Sequence, residues 1–445
     1  MIPIIVDLEL AQRTVLSRSA DDPDYPIELM SAVERIFGEP LSPPEAVARV
    51  LADVRARGDL ALRKWAQCID EVVPDPLALP ESELASAAKE IPPDLTQALR
   101  LAADRIRAFH ALQPVRSWET SELGGVMGQR MIPLRRVGVY APGGTAPLSS
   151  SLLMAVIPAQ VADVNEIVVC TPPGRSGAPV SPVIRTAAHM LGIDKVFQLG
   201  GAQAVAAMAY GTETVPRVDK IVGPGNLFVT LAKKQVFGEV GIDGLAGPTE
   251  TVIVADDTAN PDFVAADLLA QAEHDVLATA ILLTPSQALA NAVQAAVGLQ
   301  IKALSRTEIF TQSLSGRGGI VLTPNLDTAV DLADEFAPEH LCLAVAQPEL
   351  WASRVQNAGC LFLGEDSFEV LGDYVAGTNH ILPTGGTARF TSTLNVLDFV
   401  RMMSVVQLDR QTAAQLSTPA ALLARAEHLD GHATAALARA RNLQD

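Results

Sequence analysis

The chain has 445 residues, of which 49% are hydrophobic and 19% are charged, and its formal net charge at pH 7 is −18. This apolar content is enough to build large buried cores, so the composition excludes a disordered chain. The excess of acidic residues repels phosphate backbones, and aromatic residues make up only 4% of the chain. We therefore expect no binding to nucleic acid.

Insertion into a membrane and export are not expected either. Pro, Ser, Asp and Lys interrupt the longest apolar stretches well before the roughly 18 residues that a membrane span needs. The first ten residues include Asp7 and Glu9 and no basic residue, which is unlike a secretory signal. The four cysteines are scattered and form no CxxC pair, so they indicate thiols rather than a disulfide framework. The sequence thus predicts a soluble cytoplasmic protein.

The first third of the chain is dominated by helical spacing. Residues 1–35 predict a small helical segment, and from Pro43 to His110 the apolar residues recur with a helical period. Short apolar strands, glycine turns and helices then alternate. Strands are predicted at 136–140, 166–170, 195–199 and 219–222, and helices at 149–162, 202–210 and 227–236. This order predicts a parallel sheet with crossover helices.

A second block repeats the same alternation. Strands are predicted at 250–255, 278–284, 319–322, 341–345 and 360–363, and helices at 261–274 and 286–299. After about residue 385 the pattern returns to helix, including an Ala-rich stretch from Pro419 to Asn442. The predicted fold class is therefore α/β, with two Rossmann-like parallel-sheet domains and small helical N- and C-terminal domains. The predicted boundaries are 1–35 for the N-terminal segment, 36–136 plus 250–385 for the first α/β domain, 137–249 for the second, and 386–445 for the C-terminal segment.

Three glycine turns follow strands in the first block, at 141–144, 200–201 and 223–226. Such a turn before a helix lets a phosphate approach backbone N–H groups. None of them has the GxGxxG spacing, and the chain has no Walker A motif. Two interpretations stay open on spacing alone. Either the glycines only close tight turns, or they hold a cofactor more loosely than a standard dinucleotide-binding domain does.

Several histidines lie in polar surroundings near the ends of predicted elements, where ligands bind in α/β folds. His274 follows Gln271 by three residues on a predicted helix, so the two side chains can face one metal ion. Glu339 and His340 stand at a helix-to-strand junction, and His380 ends a polar segment rich in glycine. On spacing alone, however, the favoured metal pair is His428 with His432, four residues apart on the last predicted helix.

These polar strings resemble those of histidinol dehydrogenases, in the same order along nearly the whole chain. They are VGVYAPGGTAP at 137–147, GGAQA at 200–204, VDKIVGPGN at 218–226, AGPTE at 246–250, QAEH at 271–274, PEHL at 338–341, GDY at 372–374 and NHILPT at 379–384. The resemblance implies oxidation of L-histidinol to L-histidine through histidinal, in histidine biosynthesis. It also implies that two NAD are reduced and that each subunit holds one Zn²⁺.

The resemblance also implies roles for individual residues. The zinc ligands would be Gln271, His274, Asp373 and His432, which makes His428 a bystander. His340 would take the hydroxyl proton, and Glu339 would activate water for the aldehyde step. Thr249, His380 and Glu427 would contact substrate, whereas Tyr140, Gln203 and Asn226 would contact NAD. The C-terminal segment would cross to the other subunit, so that a homodimer shares its active sites.

Thr249 departs from the family pattern, which commonly has Ser at this position. The added methyl group restricts rotation and narrows the pocket, which leaves open a dehydrogenase of the same family that acts on another small hydroxylated substrate, such as a sulfonated propanediol. Three further alternatives are a thiol route through Cys170, a zinc hydrolase that uses no NAD, and a non-catalytic NAD- or metal-binding regulator. The glycine turns argue against the hydrolase, and the presence of both Glu339 and His340 argues against the regulator.

Overall fold

The structure is a computed structural model, and it describes residues 2–18, 25–143, 147–174 and 177–440. The end of the glycine turn at 141–144, with its continuation through Ala146, lies outside the described residues, as does the end of the Ala-rich stretch after 440. The chain forms two compact units. The first consists of Met1–Leu112 and Arg135–Phe399, and the second of Gln113–Leu134 and Val400–Asp445.

Strands and helices alternate through most of the chain. In chain order the strands are β1 (Ile4–Ile5), β2 (Trp118–Thr120), β3 (Gly125–Pro133), β4 (Arg136–Tyr140), β5 (Glu166–Thr171), β6 (Val196–Gln198), β7 (Lys220–Val222), β8 (Gly241–Ile242), β9 (Glu250–Ala255), β10 (Thr279–Thr284), β11 (Gly319–Leu322), β12 (His340–Ala344), β13 (Cys360–Leu363) and β14 (Val400–Leu408). The α-helices are α1 (Leu8–Arg13), α2 (Ile27–Phe37), α3 (Pro43–Arg57), α4 (Asp59–Trp65), α5 (Glu81–Ser86), α6 (Pro93–Ala111), α7 (Ser149–Val161), α8 (Pro182–Met190), α9 (Gly201–Tyr210), α10 (Leu227–Val236), α11 (Pro261–Ala272), α12 (Gln287–Gln300), α13 (Thr307–Gly316), α14 (Leu326–Phe336), α15 (Pro348–Ala352), α16 (Glu369–Tyr374), α17 (Arg410–Ala426) and α18 (Asp430–Ala440).

The first unit contains the two parallel sheets that the α/β pattern predicts. One has six strands in the order β1-β11-β10-β9-β12-β13, and the other has five in the order β6-β5-β4-β7-β8. Every residue of β9, β10 and β12 is buried, because helices cover both faces of the six-stranded sheet. These strands are therefore continuous apolar runs, which explains why the sequence predicts them closely.

The helices between residues 27 and 111 belong with the five-stranded sheet, whereas α1 packs against the six-stranded sheet. Val50 and Leu62, on α3 and α4, share a core with Val205 and Val229 from α9 and α10. Residues 77–79 also bond to the edge strand β6, with Leu79 N–H donating to the Val196 carbonyl at 2.8 Å. This differs from the prediction that joined 36–136 to the other α/β domain. The N-terminal segment 1–35 is not wholly helical either, because β1 pairs with β11 in the six-stranded sheet.

The second unit combines a small antiparallel sheet with two helices. β14 pairs with β3 over nine residues, from Val400 opposite Pro133 to Leu408 opposite Gly125, and β2 lies on the other side of β3. The prediction of a helical C-terminal segment at 386–445 is therefore wrong for residues 400–408. It holds for the helices α17 and α18, whose buried contact includes Ala421, Ala424 and Ala433.

Within the described residues, no helix combines the length and the apolar character that crossing a lipid bilayer requires.

Candidate active site

The centre of the six-stranded sheet brings two of the predicted site segments together. β9 and β12 are neighbours, with Thr251 opposite His340, so Thr249 and Glu250 lie beside Glu339 where both strands begin. The site is thus at the amino-terminal edge of this sheet, whereas ligands of open parallel sheets usually lie at the carboxyl edge. The glycine turns of the five-stranded sheet follow β4, β6 and β7 and do lie at a carboxyl edge.

Glu339 is a buried carboxylate held by its neighbours. Its Oε2 accepts a hydrogen bond from the Thr249 hydroxyl at 2.5 Å and another from the Glu250 backbone N–H at 3.0 Å. Burial raises the pKa of Glu339 to about 7. The group is therefore fixed in position and can change its protonation state near neutral pH, as a general base for water requires.

His340 faces three carboxylates. Its Nε2 lies 3.5 Å from Asp373 Oδ1, and its Nδ1 lies 3.8 Å from Glu369 Oε1 and 3.9 Å from Glu339 Oε2. The residue is only 3% exposed, yet neither ring nitrogen has a well-aligned hydrogen-bond partner among the described residues. Burial acts to lower the pKa of His340, but the carboxylates of Glu369, Glu339 and Asp373 outweigh it and raise the pKa to about 10.

The donor set at this place fits a divalent cation. Gln271, at the end of α11, is fully buried and its Nε2 has no hydrogen-bond partner among the described residues. Rotating the amide by 180° presents the oxygen, which is a metal ligand, at that position. Desolvation lowers the pKa of His274, against the opposing charge of Asp373, and so favours the neutral imidazole that binds zinc. A divalent cation there would also offset the negative charge of the buried carboxylates around His340.

Gln271 and His274 do not share a helix in the structure. α11 ends at Ala272, so His274 lies just beyond the helix rather than one turn along its face. Its backbone N–H still bonds to the Gln271 carbonyl at 3.4 Å, which keeps the two residues in one tight turn. The two residues are therefore close because of this turn and not because of a shared helix face, and their role as metal ligands stays a prediction.

His380 contacts the same cluster through the backbone carbonyl of Asp373. Its Nδ1 lies 2.9 Å from the Asp373 carbonyl and its Nε2 lies 2.9 Å from the Ser151 hydroxyl. A carbonyl oxygen only accepts, so Nδ1 carries the proton and Nε2 accepts from Ser151. Both ring nitrogens are engaged, and His380 therefore holds the backbone of Asp373 in place.

The predicted NAD residues lie around the glycine turns. The Tyr140 hydroxyl accepts a hydrogen bond from the Gly201 N–H at 3.1 Å. Gln203 is fully buried, and its Nε2 donates to Asp70 at 3.2 Å while its Oε1 has no partner among the described residues. Asn226 caps α10 by accepting from the N–H groups of Phe228 and Val229. A cavity of about 120 Å³ adjoins Gly201 and Asn226.

The remaining two predicted site residues belong to the second unit. Glu427 follows α17 and His432 lies on α18, and both are exposed, as is the bystander His428. His428 has a left-handed backbone with φ of 61°, which ends the helix before it. The ligand role of His432 and the substrate role of Glu427 stay predictions.

Sequence reasoning missed Glu369, which completes the set of carboxylates around His340. Glu369 is 2% exposed and accepts a hydrogen bond from the Thr251 hydroxyl. Its ligand atom, with those of His340 and Asp373, forms a group in which all lie within 4.8 Å of one another. A signal was available, because Glu369 precedes Asp373 by four residues and so shares a helix face with it.

Cys170 lacks the surroundings of a nucleophile. It is fully buried in β5, and burial raises the pKa of its thiol well above the usual value. We expect Cys170→Ser, with Cys170→Ala as a packing control, to oxidise supplied aldehyde at the parental rate within about twofold. Loss of that oxidation in either variant, with folding intact by circular dichroism, would support the thiol route instead.

Comparison with known proteins identifies the family. Residues 41–440 match the family model described as histidinol dehydrogenase. A histidinol dehydrogenase of Deinococcus radiodurans is 49% identical over 429 residues, which cover 96% of this chain and 98% of that protein. Another, from Thermus thermophilus, is 49% identical over 389 residues, with 87% and 92% covered.

A solved structure agrees over the entire chain. The crystal structure of histidinol dehydrogenase from Elizabethkingia anophelis superposes with a TM-score of 0.91 at 32% identity, and the match covers 100% of this chain and 99% of that one. The predicted α/β fold class is thereby confirmed. The chain belongs to the histidinol dehydrogenase family of NAD-dependent oxidoreductases.

Proposed function

We propose that this protein oxidises L-histidinol to L-histidine through histidinal, with reduction of two NAD, as an enzyme of histidine biosynthesis that uses one Zn²⁺ per subunit. The observation that carries the proposal is the buried Glu339–His340 pair, which lies beside the carboxylate of Asp373 in a chain of this family. Two proton acceptors with different environments suit two successive oxidations.

In the first oxidation, His340 accepts the proton of the substrate hydroxyl, and the carbon that bears this hydroxyl transfers a hydride to NAD. Gln271, His274, Asp373 and His432 would hold the zinc ion, which would supply positive charge and orient the substrate nitrogens. That charge would offset the carboxylates near His340 and so favour the neutral imidazole, which is able to take a proton. Asp373 Oδ1 lies 3.5 Å from Nε2 and orients the ring.

In the second oxidation, water adds to the aldehyde and the resulting hydrate loses hydride to a second NAD. Glu339 takes the proton from the attacking water, since its pKa of about 7 lies close to working pH. Thr249 holds the carboxylate that performs this step, with its hydroxyl 2.5 Å from Glu339 Oε2. The alcohol step and the aldehyde step therefore depend on adjacent residues with separate tasks.

For the cofactor, we propose that Tyr140, Gln203 and Asn226 contact NAD at the glycine turns. The unpartnered Oε1 of Gln203 is a buried acceptor that a hydroxyl of NAD can satisfy. Asn226 reaches NAD through its backbone or its amide nitrogen, because its Oδ1 already caps α10. The backbone N–H groups at the start of α9 and α10 favour the pyrophosphate.

We further propose a homodimer in which Glu427 and His432 complete the active site of the partner subunit. The second unit exposes several large apolar side chains, which support an interface on this surface. They are Met402, Val406, Leu422 and Leu423, with exposed fractions of 65%, 62%, 60% and 68%.

Thr249 bears most directly on the identity of the substrate. Its hydroxyl bonds to Glu339 and lies 3.4 Å from Gln271 Oε1, so its additional methyl group lies among the residues that would surround substrate. This observation keeps a second candidate in view, which is the oxidation of a sulfonated propanediol by the same chemistry. Membership of an NAD-dependent family argues against the hydrolase and the regulator.

We expect the zinc-loaded enzyme to form two NADH for each L-histidinol consumed, measured by absorbance with histidine quantified in parallel. We also expect kcat/KM for histidinol to exceed that for a sulfonated propanediol by at least about 100-fold. A site that hydrogen-bonds the polar groups of its substrate discriminates strongly against a molecule that lacks those groups. A reversed preference would establish the second candidate, and turnover without NAD would contradict both.

A further inference from the structure

Arg18 lies far from the site residues in sequence but adjoins them in space. Its Nη1 donates to Glu250 Oε1 at 2.5 Å and its Nη2 donates to Glu250 Oε2 at 2.9 Å, which is a bidentate ion pair. Its Nε and Nη2 also donate to the Phe336 carbonyl at 2.8 and 2.7 Å. The guanidinium carbon lies 3.9 Å from the centroid of the Phe336 ring.

The partners of Arg18 belong to two segments that meet at the site, and a third segment bonds to one of these partners. Glu250 begins β9, and its N–H donates to Glu339 Oε2 at 3.0 Å. Phe336 ends α14, three residues before Glu339. Gly385, which follows the segment of His380, donates its N–H to Glu250 Oε2 at 3.3 Å. One guanidinium thus contacts the two segments on either side of the Glu339 carboxylate and, through Glu250, the third.

The Arg18–Glu250 ion pair is partly buried, and the guanidinium is closely packed against its neighbours. The side chain of Arg18 is 25% exposed and that of Glu250 is 9% exposed. A Cβ atom at Gly386 would lie 2.9 Å from Arg18 Nε, and Gly386 has a left-handed backbone with φ of 76°. A side chain at position 386 would therefore collide with the guanidinium. Arg18 also precedes residue 41, where the match to the family model begins.

We propose that Arg18 is a positioning residue for the reaction, because it holds the Glu250 N–H and the 336–339 turn that together place the Glu339 carboxylate. It also neutralises Glu250, a second buried carboxylate next to Glu339. Without Arg18 the negative charge of Glu250 would be buried and unpaired, which strongly favours local rearrangement. The inference rests on the proposed function only in taking Glu339 as the group that activates water.

The experiment compares Arg18→Ala, Arg18→Lys and Glu339→Gln in the zinc-loaded enzyme with histidinal and NAD. We expect Arg18→Ala to lower kcat for aldehyde oxidation by about 10- to 100-fold, as small misplacements of reacting groups do, with KM and zinc content changed less than about twofold. Arg18→Lys keeps the charge but loses the bidentate geometry, so an intermediate kcat is expected. Guanidinium ion at millimolar concentration should restore part of the Arg18→Ala activity.

The double variant Arg18→Ala/Glu339→Gln separates positioning from general stability. If Arg18 acts through Glu339, the double variant loses no more kcat than Glu339→Gln alone, whereas independent effects multiply. The matched control is Arg13→Ala on the same N-terminal segment, where Arg13 pairs with Glu9 at 3.3 Å and both are exposed. We expect this control to keep parental kinetics.

Each outcome decides between the two proposals. Impaired Glu339→Gln with an unimpaired Arg18→Ala overturns the role of Arg18 alone, as do multiplicative losses in the double variant. An unimpaired Glu339→Gln overturns the proposed task of Glu339 and the role of Arg18 with it. If Arg18→Ala does not fold, Arg18→Lys decides, since parental kcat in that variant contradicts positioning by the bidentate pair.

Discussion

Replacing His340 by Asn is expected to lower kcat for oxidation of the alcohol by about 10²- to 10⁴-fold, the range that general base catalysis contributes. The reason is that the other imidazoles at this place are engaged, since both nitrogens of His380 already have partners and His274 is proposed to hold the zinc ion. NADH formation from histidinol at saturating NAD, in fully zinc-loaded protein, measures this loss.

Glu339→Gln is the matched comparison for His340→Asn, because it changes the adjacent residue and keeps its shape. Its main effect should fall on oxidation of supplied histidinal, with the alcohol step less affected. Addition of water to the aldehyde needs the Glu339 carboxylate to take the water proton, and a pKa of about 7 provides the ionised carboxylate above neutral pH. Equal losses of both steps in the two variants would contradict separate roles.

Removing the metal with a chelator is expected to abolish turnover, and one equivalent of Zn²⁺ per subunit should restore it. The apoprotein should also unfold at a lower temperature than the zinc form, because a ligand that binds only the folded state stabilises it. The buried carboxylates of Glu369 and Asp373 beside His340 add to this difference. NADH formation measures turnover, whereas elemental analysis and thermal unfolding measure zinc content and stability without reference to activity.

The two histidines of the second unit provide an internal control for the metal site. His432→Asn should weaken zinc binding, whereas His428→Asn, four residues away and equally exposed, should not. Metal-free protein with full activity would overturn the ligand assignment. Weaker binding in His428→Asn but not in His432→Asn would instead support the pair that spacing alone favours.

The fold was predictable where burial imposes a pattern. The strands β9 and β10 are apolar on both faces, so composition and length mark them without any knowledge of their neighbours. The position of α3 and α4 was not predictable, because their apolar faces would suit either parallel sheet. Only the shared core of Val50 and Leu62 with Val205 assigns them.

In the candidate site, too, some residues were predictable from the sequence and others were not. The resemblance to a family indicated Glu339, His340 and Asp373, and the structure brings these side chains together. Glu369 had only a weaker signal, which is its spacing of four residues from Asp373. Arg18 had no signal, because its importance comes from contacts with residues that are distant along the chain. The Arg18–Glu250 pair spans 232 positions, and no periodicity or local motif predicts such a pairing.

The antiparallel sheet of the second unit has a consequence for synthesis of the chain. β3 ends at Pro133 and its nine-residue partner β14 starts at Val400, so a ribosome adds about 270 residues between them, which takes roughly 15 to 50 s. Throughout that interval one edge of β3 has no backbone partner and is open to other nascent chains. Chaperone demand should therefore fall sharply once residues 400–408 leave the ribosomal tunnel.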